Sequence, residues 1–287
     1  MGIVALLTAA ALVTMTPQQK AALLVVSGPR AEPGVGGVLV QRWDLDAPRP
    51  RGAIVFVDQE GGDTRAFKGL PPRRAAADFT SADDAFAAGV ATARALRRVG
   101  VDVDLAPVLD LPDGPLGARQ FRSPLYGIAF ARGLAAGGAG ACAKHFPGLG
   151  SLPVSTDERP YVRGVLRERD VAPYREVVEA RVPCVMVGHG VYPGLGRRRA
   201  SLEPTAYRLL RSLGFEGVAI TDSLNVVKGA DPRKWSAAAV RAGADLVLFT
   251  SGRAASLAVS ALVPLARRGE LDEHVVRVLR FRQLLRR

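Results

Sequence analysis

Cysteine is nearly absent from this chain. Cys142 and Cys184 are the only two in 287 residues, too few for a disulfide framework, and each lies in an apolar, strand-like run where a thiol serves as a small core hydrophobe. Histidine is as scarce: His145, His189 and His274 lack the spacing of a metal motif, so neither a metal nor a cofactor is expected. No apolar run reaches the roughly 20 residues that a membrane helix needs, which excludes stable membrane insertion. Lysine is confined to Lys20, Lys68, Lys144, Lys228 and Lys234, so the net charge of +12 is almost entirely arginine. Those arginines, Arg94, Arg97, Arg98 and Arg277, Arg280, Arg282 among them, fall on helix faces and ends rather than in a dense block with interleaved aromatics. Nucleic acid is therefore not an expected partner, since charge alone gives only nonspecific affinity; attraction to an anionic polymer or glycan stays open.

What the chain does have is apolar material, 48% of its residues, enough for a sizeable core. Residues 2–15 (GIVALLTAAALVTM) have the apolar character of a signal-peptide core without a basic start or a clear cleavage site. For segment 1–15 a truncated export signal, an anchor remnant and an extra helix all stay open, and with them an exported or a cytoplasmic location. From Thr16 the organisation is regular. Thr16, Pro17 and Gln19 spell a capping box with proline at the first helical position. Strands are predicted at Ala22–Val26, Gly36–Val40, Ala53–Val57, Val103–Pro107, Ala141–His145, Cys184–Gly188, Val218–Thr221 and Asp245–Phe249. A helix capped by Ser81 runs to about Arg98 and stops at Gly100. Further helices are expected over 171–179, 205–212, 233–243, 254–267 and 271–285, while a long loop carries Gly117, Arg119, Phe121 and Ser123. Eight short apolar strands alternating with helices predict an α/β fold, a single-domain (β/α)8 TIM-type barrel over 16–287.

The position of the polar residues points to function. Asp58, Asp110, Lys144, His145, His189 and Asp222 stand at or just past the C-terminal ends of their strands, and in such a barrel those ends converge on one mouth where an active site is built. The stretch Gly140–Pro160 delivers Lys144 and His145 to a stiff Pro/Gly loop that then carries Ser155, Thr156, Asp157, Glu158 and Arg159. Asp222 projects from a dry strand as a carboxylate able to attack an electrophilic carbon, and equally as a cap of the next helix. Asp157 or Glu158 can supply a second carboxyl, and two carboxyls flanking a bond are the minimum apparatus of glycoside hydrolysis. Asp58 offers acceptors, and Arg119, Lys144 and His145 offer donors, a mixture suited to a polyol. Glu60 suits a turn as well as a ligand, and His189 reads best as a hydrogen-bonded neighbour of the site.

The runs VDQEGG (57–62), LAPVLD (105–110), LGARQF (116–121), KHFPG (144–148), VM with a histidine and YP (185–193), ASL (200–202) and LGFEGVAITDSLN (213–225) resemble glycoside hydrolase family 3, in its β-N-acetylhexosaminidase branch. They occur in family order and cover the chain from about Thr16 onward, without the family's second, sandwich domain. The resemblance implies a retaining exo-acting hydrolase, β-N-acetylglucosaminidase-like, acting on cell-wall-derived or related β-glycosides; a carbohydrate is the expected partner and a monomer the expected state. Asp222 matches the nucleophile; Asp58, Arg119, Lys144 and His145 match positions that hold the nonreducing sugar.

Two departures stand out. Much of the branch carries a histidine in the KHFPGHG loop and an Asp-Ser-His acid/base, whereas this chain has Leu149 and then Ser155, Thr156, Asp157. Asp157 thus falls at the acid/base position, a task a carboxylic acid performs if its pKa is raised. After DQEGG, the usual sugar-contacting arginine aligns with Ala66, so either Arg65 substitutes through a shifted loop or the sugar subsite differs. A noncatalytic sugar-binding barrel is the alternative reading, and a barrel acting on a phosphorylated substrate is a third, disfavoured by the lack of a glycine-rich phosphate loop after the last two strands.

Overall fold

The computed structural model describes residues 12–29, 31, 33–42, 50–159, 161–225 and 229–286. Residues 1–11 of the apolar N-terminal segment lie outside the described residues; 12–14 are helical, and Leu12 and Met15 pack on the core. The predicted strands are buried along their whole length, as strands covered on both sides must be. They are β1 (Val25–Ser27), β2 (Gly37–Val40), β3 (Ile54–Val57), β6 (Val103–Asp104), β7 (Gly140–Phe146), β8 (Cys184–Val187), β9 (Val218–Thr221) and β10 (Val247–Leu248), while β4 (Gln59–Gly61) and β5 (Thr64–Arg65) make a small antiparallel hairpin apart from them. The eight pair in parallel in the order β10-β1-β2-β3-β6-β7-β8-β9. The two ends of that series meet: Thr221 N donates to Leu246 O at 3.0 Å, Leu224 N to Leu248 O at 2.9 Å and Asp245 N to Ala219 O at 2.8 Å. The sheet is thereby closed into the expected barrel.

Helices cover the outside. In α1 (Pro17–Leu23) the capping box forms, with Thr16 N donating to Gln19 Oε1 at 2.8 Å and Gln19 N to Thr16 Oγ1 at 3.2 Å. Because α1 reaches Leu23, the first strand starts at Val25 rather than Ala22. Ser81 caps α2 (Ala82–Arg98), and Gly100 reverses the chain with φ of 74°. The segment read as a long loop contains α3 (Pro124–Ala136), capped by Ser123 with Pro124 in its first turn. Its glycines hid it. A Cβ at Gly133 would meet Phe86 O at 2.2 Å, and one at Gly89 would meet Phe130 O at 2.3 Å, so α2 and α3 touch backbone to backbone, a contact only glycine permits. The helix expected from Val171 is two pieces, α4 (Glu168–Val171) and α5 (Pro173–Glu179), divided where Pro173 lacks a donor. The remaining helices, α6 (Pro204–Ser212), α7 (Pro232–Ala242), α8 (Gly252–Arg267) and α9 (Asp272–Leu284), lie within two residues of expectation.

A further expectation fails. Cys142 and Cys184, read as separate core thiols, are joined in a disulfide. They are register partners across β7 and β8, with Cα atoms 4.3 Å apart, within reach of a bridge. That proximity comes from strand pairing between residues 42 apart in sequence, which composition does not reveal.

Candidate active site

The mouth is built first from the DQEGG run. A Cβ at Gly61 (φ 116°) would meet Arg74 O at 2.2 Å, and one at Gly62 (φ 55°) would meet Ala75 Cβ at 2.8 Å, so both positions require glycine. Gln59 is buried and organises the loop behind them: its Nε2 donates to the carbonyls of Phe67 (3.0 Å) and Pro71 (3.0 Å), and its Oε1 accepts from Phe67 N at 3.0 Å. Beneath it, Asp104 on β6 accepts from Gln59 N at 3.0 Å. The other Asp104 oxygen is buried without a partner, and burial pushes this carboxyl up to about 8.

With the loop fixed, Glu60 becomes the hub of the mouth. Arg119 donates to both its oxygens, Nε to Oε2 and Nη2 to Oε1, each at 2.8 Å, and Lys144 Nζ lies 2.6 Å from Oε1. Burial works to raise the Glu60 pKa, but the charges of Lys144 and Arg119 reverse this and bring it to about 2. Lys144 Nζ also donates to Asp58 Oδ1 at 2.6 Å. Burial opposes the Lys144 charge, yet the Asp58 and Glu60 carboxylates outweigh it and raise its pKa. The Lys144 side chain is 3% exposed and that of Asp58 35%, so the pair presents its acceptor to the opening.

His145 is set from the other side. Its Nδ1 lies 2.7 Å from Asp110 Oδ2, while Asp110 Oδ1 accepts from Leu149 N at 2.7 Å. A carboxylate that only accepts requires Nδ1 to carry the proton, leaving Nε2 available. On the His145 side the chain carries two cis peptides, Lys144–His145 and Phe146–Pro147. The Leu149 side chain, at the place of the branch's loop histidine, is buried in the core. Tyr192 donates to Gly148 O at 2.6 Å, and a Cβ at Gly150 would meet Arg167 Nη2 at 2.5 Å, so the PGLG loop is seated on the Arg167–Asp170 pair.

The two candidate catalytic carboxyls face this frame. Asp222 follows β9 and accepts from Ser223 N at 2.7 Å. Burial raises its pKa, but the His189 and His145 imidazoles, the Ser223 N–H and Lys144 together carry it below the usual carboxylate range. His189 is buried and doubly held, Nδ1 at 2.8 Å from Ser201 Oγ and Nε2 donating to Ser223 O at 3.0 Å. A carbonyl cannot donate, so Nε2 carries a proton. Asp157 reaches solvent at the rim, with Ser155 Oγ accepting from its N–H at 3.2 Å. Partial desolvation and then the Asp222 charge raise its pKa, against the pull of His145, Arg119 and His189. One carboxyl is thus driven toward the anion and its neighbour toward the acid, the division of labour that a two-carboxyl mechanism needs.

The site therefore brings together Asp58, Arg119, Lys144, His145, Asp157 and Asp222, and leaves Arg65 outside. Arg65 Nε donates to Gly62 O at 2.7 Å and Nη1 to Lys68 O at 2.9 Å, so its guanidinium closes its own turn; Ala66 is buried in the barrel wall. Sequence reasoning undervalued Glu60 and Asp110. Both are acids beside motif residues, and a count of the mouth's cations, Arg119 and Lys144, against Asp58 alone would have demanded Glu60.

Comparison with known proteins agrees with this architecture. Residues 40–281 match the family described as "Glycosyl hydrolase family 3 N terminal domain", and the chain belongs to that family. A protein named beta-hexosaminidase from Bordetella parapertussis is 34% identical over 226 residues, covering 68% of this chain. "Beta-hexosaminidase LpqI" of Mycobacterium tuberculosis is 30% identical over 319 residues, 92% of this chain and 82% of that protein. Among solved structures, a family 3 β-N-acetylglucosaminidase from Paenibacillus superposes with a TM-score of 0.85 at 25% identity, over 95% of this chain and 63% of that one. The M. tuberculosis LpqI structure does so with a TM-score of 0.85 at 27% identity, over 96% of each chain. The matched region spans 63% of the length of the Bordetella relative.

Proposed function

We propose that this chain is a retaining exo-acting β-N-acetylhexosaminidase, with Asp222 as nucleophile and Asp157 as acid/base. The observation that supports the reading is the placement of Asp222, at the end of β9, and Asp157 beside the Glu60–Arg119–Lys144 hub of a family 3 barrel, with Asp222 shifted toward the anion and Asp157 toward the acid. Asp222, kept ionised, attacks the anomeric carbon while Asp157 protonates the departing glycosidic oxygen, giving a covalent glycosyl-enzyme. Asp157, now a carboxylate, then takes a proton from the water that releases the sugar with retained configuration. Asp58, Lys144, Arg119 and His145 Nε2 line the side that holds the nonreducing sugar. The buried Glu60 keeps Lys144 and Arg119 charged and aimed. The names of the relatives favour an N-acetylated hexosamine in that subsite, and cell-wall-derived glycosides are the substrate class we assign.

A fluorinated, activated N-acetylglucosamine-type glycoside, followed by intact mass and peptide mapping, tests this directly. The expected result is one added glycosyl group on the peptide carrying Asp222, absent in Asp222→Asn, with turnover of an aryl β-N-acetylglucosaminide reduced by about 10³-fold or more in that variant. An unlabelled wild-type protein with no turnover would favour the sugar-binding alternative.

A further inference from the structure

The loops that follow β7, β8 and β9 carry more than the catalytic carboxyls. Tyr161 stands four residues beyond Asp157 on the β7 loop, Arg199 is on the β8 loop, and Trp235 is in the first turn of α7, after β9. The three meet in a stack. The Arg199 guanidinium carbon lies 4.8 Å from the Trp235 ring centroid and 5.8 Å from that of Tyr161. Tyr161 is 50% exposed, and its hydroxyl donates to Arg197 O at 3.1 Å. Trp235 is half-buried.

The stack is tied firmly to the reaction centre. Val191 bridges to Arg163 on one side and to Arg199 on the other, with Gly164 N donating to Val191 O at 3.0 Å. Two residues past Arg199, Ser201 N donates to Gly188 O at 2.9 Å and its hydroxyl meets His189, whose other nitrogen donates to the carbonyl next to Asp222. The polar groups that suit the nonreducing sugar come from elsewhere: Asp58 and Glu60 after β3, Arg119 after β6, and Lys144 on β7 itself. In a retaining mechanism the proton donor stands beside the leaving group, and Tyr161 extends the same loop as that donor.

We propose that Tyr161, Arg199 and Trp235 form the subsite for the leaving group, and that the subsite takes a pyranose ring, a second sugar unit β-linked to the one being removed. The inference rests on the hydrolase reading above for its orientation. A pyranose has an apolar C–H face that stacks on an aromatic ring and a rim of hydroxyls that planar guanidinium donors and a phenol can meet. An arginine flanked by two rings loses little freedom when it binds, which favours recognition of a rigid ring over a flexible chain.

The test compares two substrates in wild type, Tyr161→Ala, Trp235→Ala and Trp235→Phe: N,N′-diacetylchitobiose, whose leaving group is a sugar, and the β-azide of N-acetylglucosamine, whose leaving group has no ring. The expected result is a fall of about tenfold in kcat/KM for the disaccharide in both alanine variants, with Trp235→Phe within about threefold of wild type and azide turnover changed less than about twofold throughout. Parallel loss on both substrates, or loss on neither, overturns the subsite. Calorimetric binding of a sulfur-linked, uncleavable disaccharide decides the matter without turnover, so that a failure of the hydrolase reading is seen separately. Binding about tenfold weaker in Tyr161→Ala with unchanged affinity for N-acetylglucosamine supports the subsite, and equal affinity for the disaccharide in wild type and variant overturns it.

Discussion

The barrel carries a buried carboxylate hub at each end. At the mouth, Glu60 holds Arg119 and Lys144. At the opposite end, Asp245 accepts from Arg211 Nη2 (2.7 Å), Arg277 Nε (2.7 Å) and Ala219 N (2.9 Å), and His274 Nδ1 lies 2.9 Å away. Burial opposes the Asp245 charge, and His274, Arg277 and Arg211 reverse that and lower its pKa. The difference is in what is left over. Asp245 has its bonding capacity filled by groups of α6, β9 and α9, and so ties helices to the barrel floor. Glu60 fixes two cations that still face open carboxyls, Asp58 beside Lys144 and Asp222 and Asp157 beyond. The same chemistry serves stability where it is closed and, in the function proposed above, binding where it is open.

The largest expected effect breaks that symmetry. Glu60→Gln should cut kcat/KM by about 100-fold or more, by leaving Arg119 and Lys144 to be drawn to Asp58 and Asp222. Asp245→Asn should instead lower stability by about 3–5 kcal/mol, the cost of breaking a buried ion pair, while kcat of the folded fraction stays near wild type; urea unfolding and steady-state kinetics on the two variants separate the cases. Next in size is the pH profile. With Asp222 shifted down and Asp157 up, kcat/KM should fall at low pH as Asp222 protonates and at high pH as Asp157 ionises, and Asp157→Asn should erase the alkaline limb, most clearly for poor leaving groups.

A smaller effect concerns Asp104. Its folded pKa of about 8 lies above the unfolded value of about 4, so the folded state holds the extra proton between those limits. The stability this contributes is fully present below about 4 and is lost as pH rises to 8. Asp104→Asn, which keeps a neutral side chain, should flatten that decline, as thermal melts from pH 5 to 9 would show. The smallest is Arg65→Ala, expected to reduce activity less than about tenfold through a looser turn; a loss of sugar binding as large as that of an Asp58 variant would return Arg65 to the subsite.

Much of this was legible in the sequence because the barrel repeats its signals. Apolar runs ending in Asp58, Asp110, Lys144, His145, His189 and Asp222 gave both the strands and the mouth, and the caps at Thr16 and Ser81 located α1 and α2. The helix α3 does not stand out in the sequence because it carries Gly127 and Gly133, which serve as packing devices against Leu109 and Phe86. The disulfide and the hub at Glu60 depend on register and on contacts 59 and 84 residues apart, between Glu60 and Arg119 or Lys144, where local pattern has no reach. Arg65, one of the two alternatives for the sugar subsite, turns to local partners instead, the carbonyls of Gly62 and Lys68.

The bond between Cys142 and Cys184 encloses the segment that carries Asp157 and Tyr161. In covalent terms the proposed proton donor and the first aromatic of the proposed stack belong to a macrocycle moored to the barrel wall at its neck. A single cut in the exposed arc of that ring opens it without releasing either shore, and the two ends of the acid's own loop stay fastened to adjacent staves.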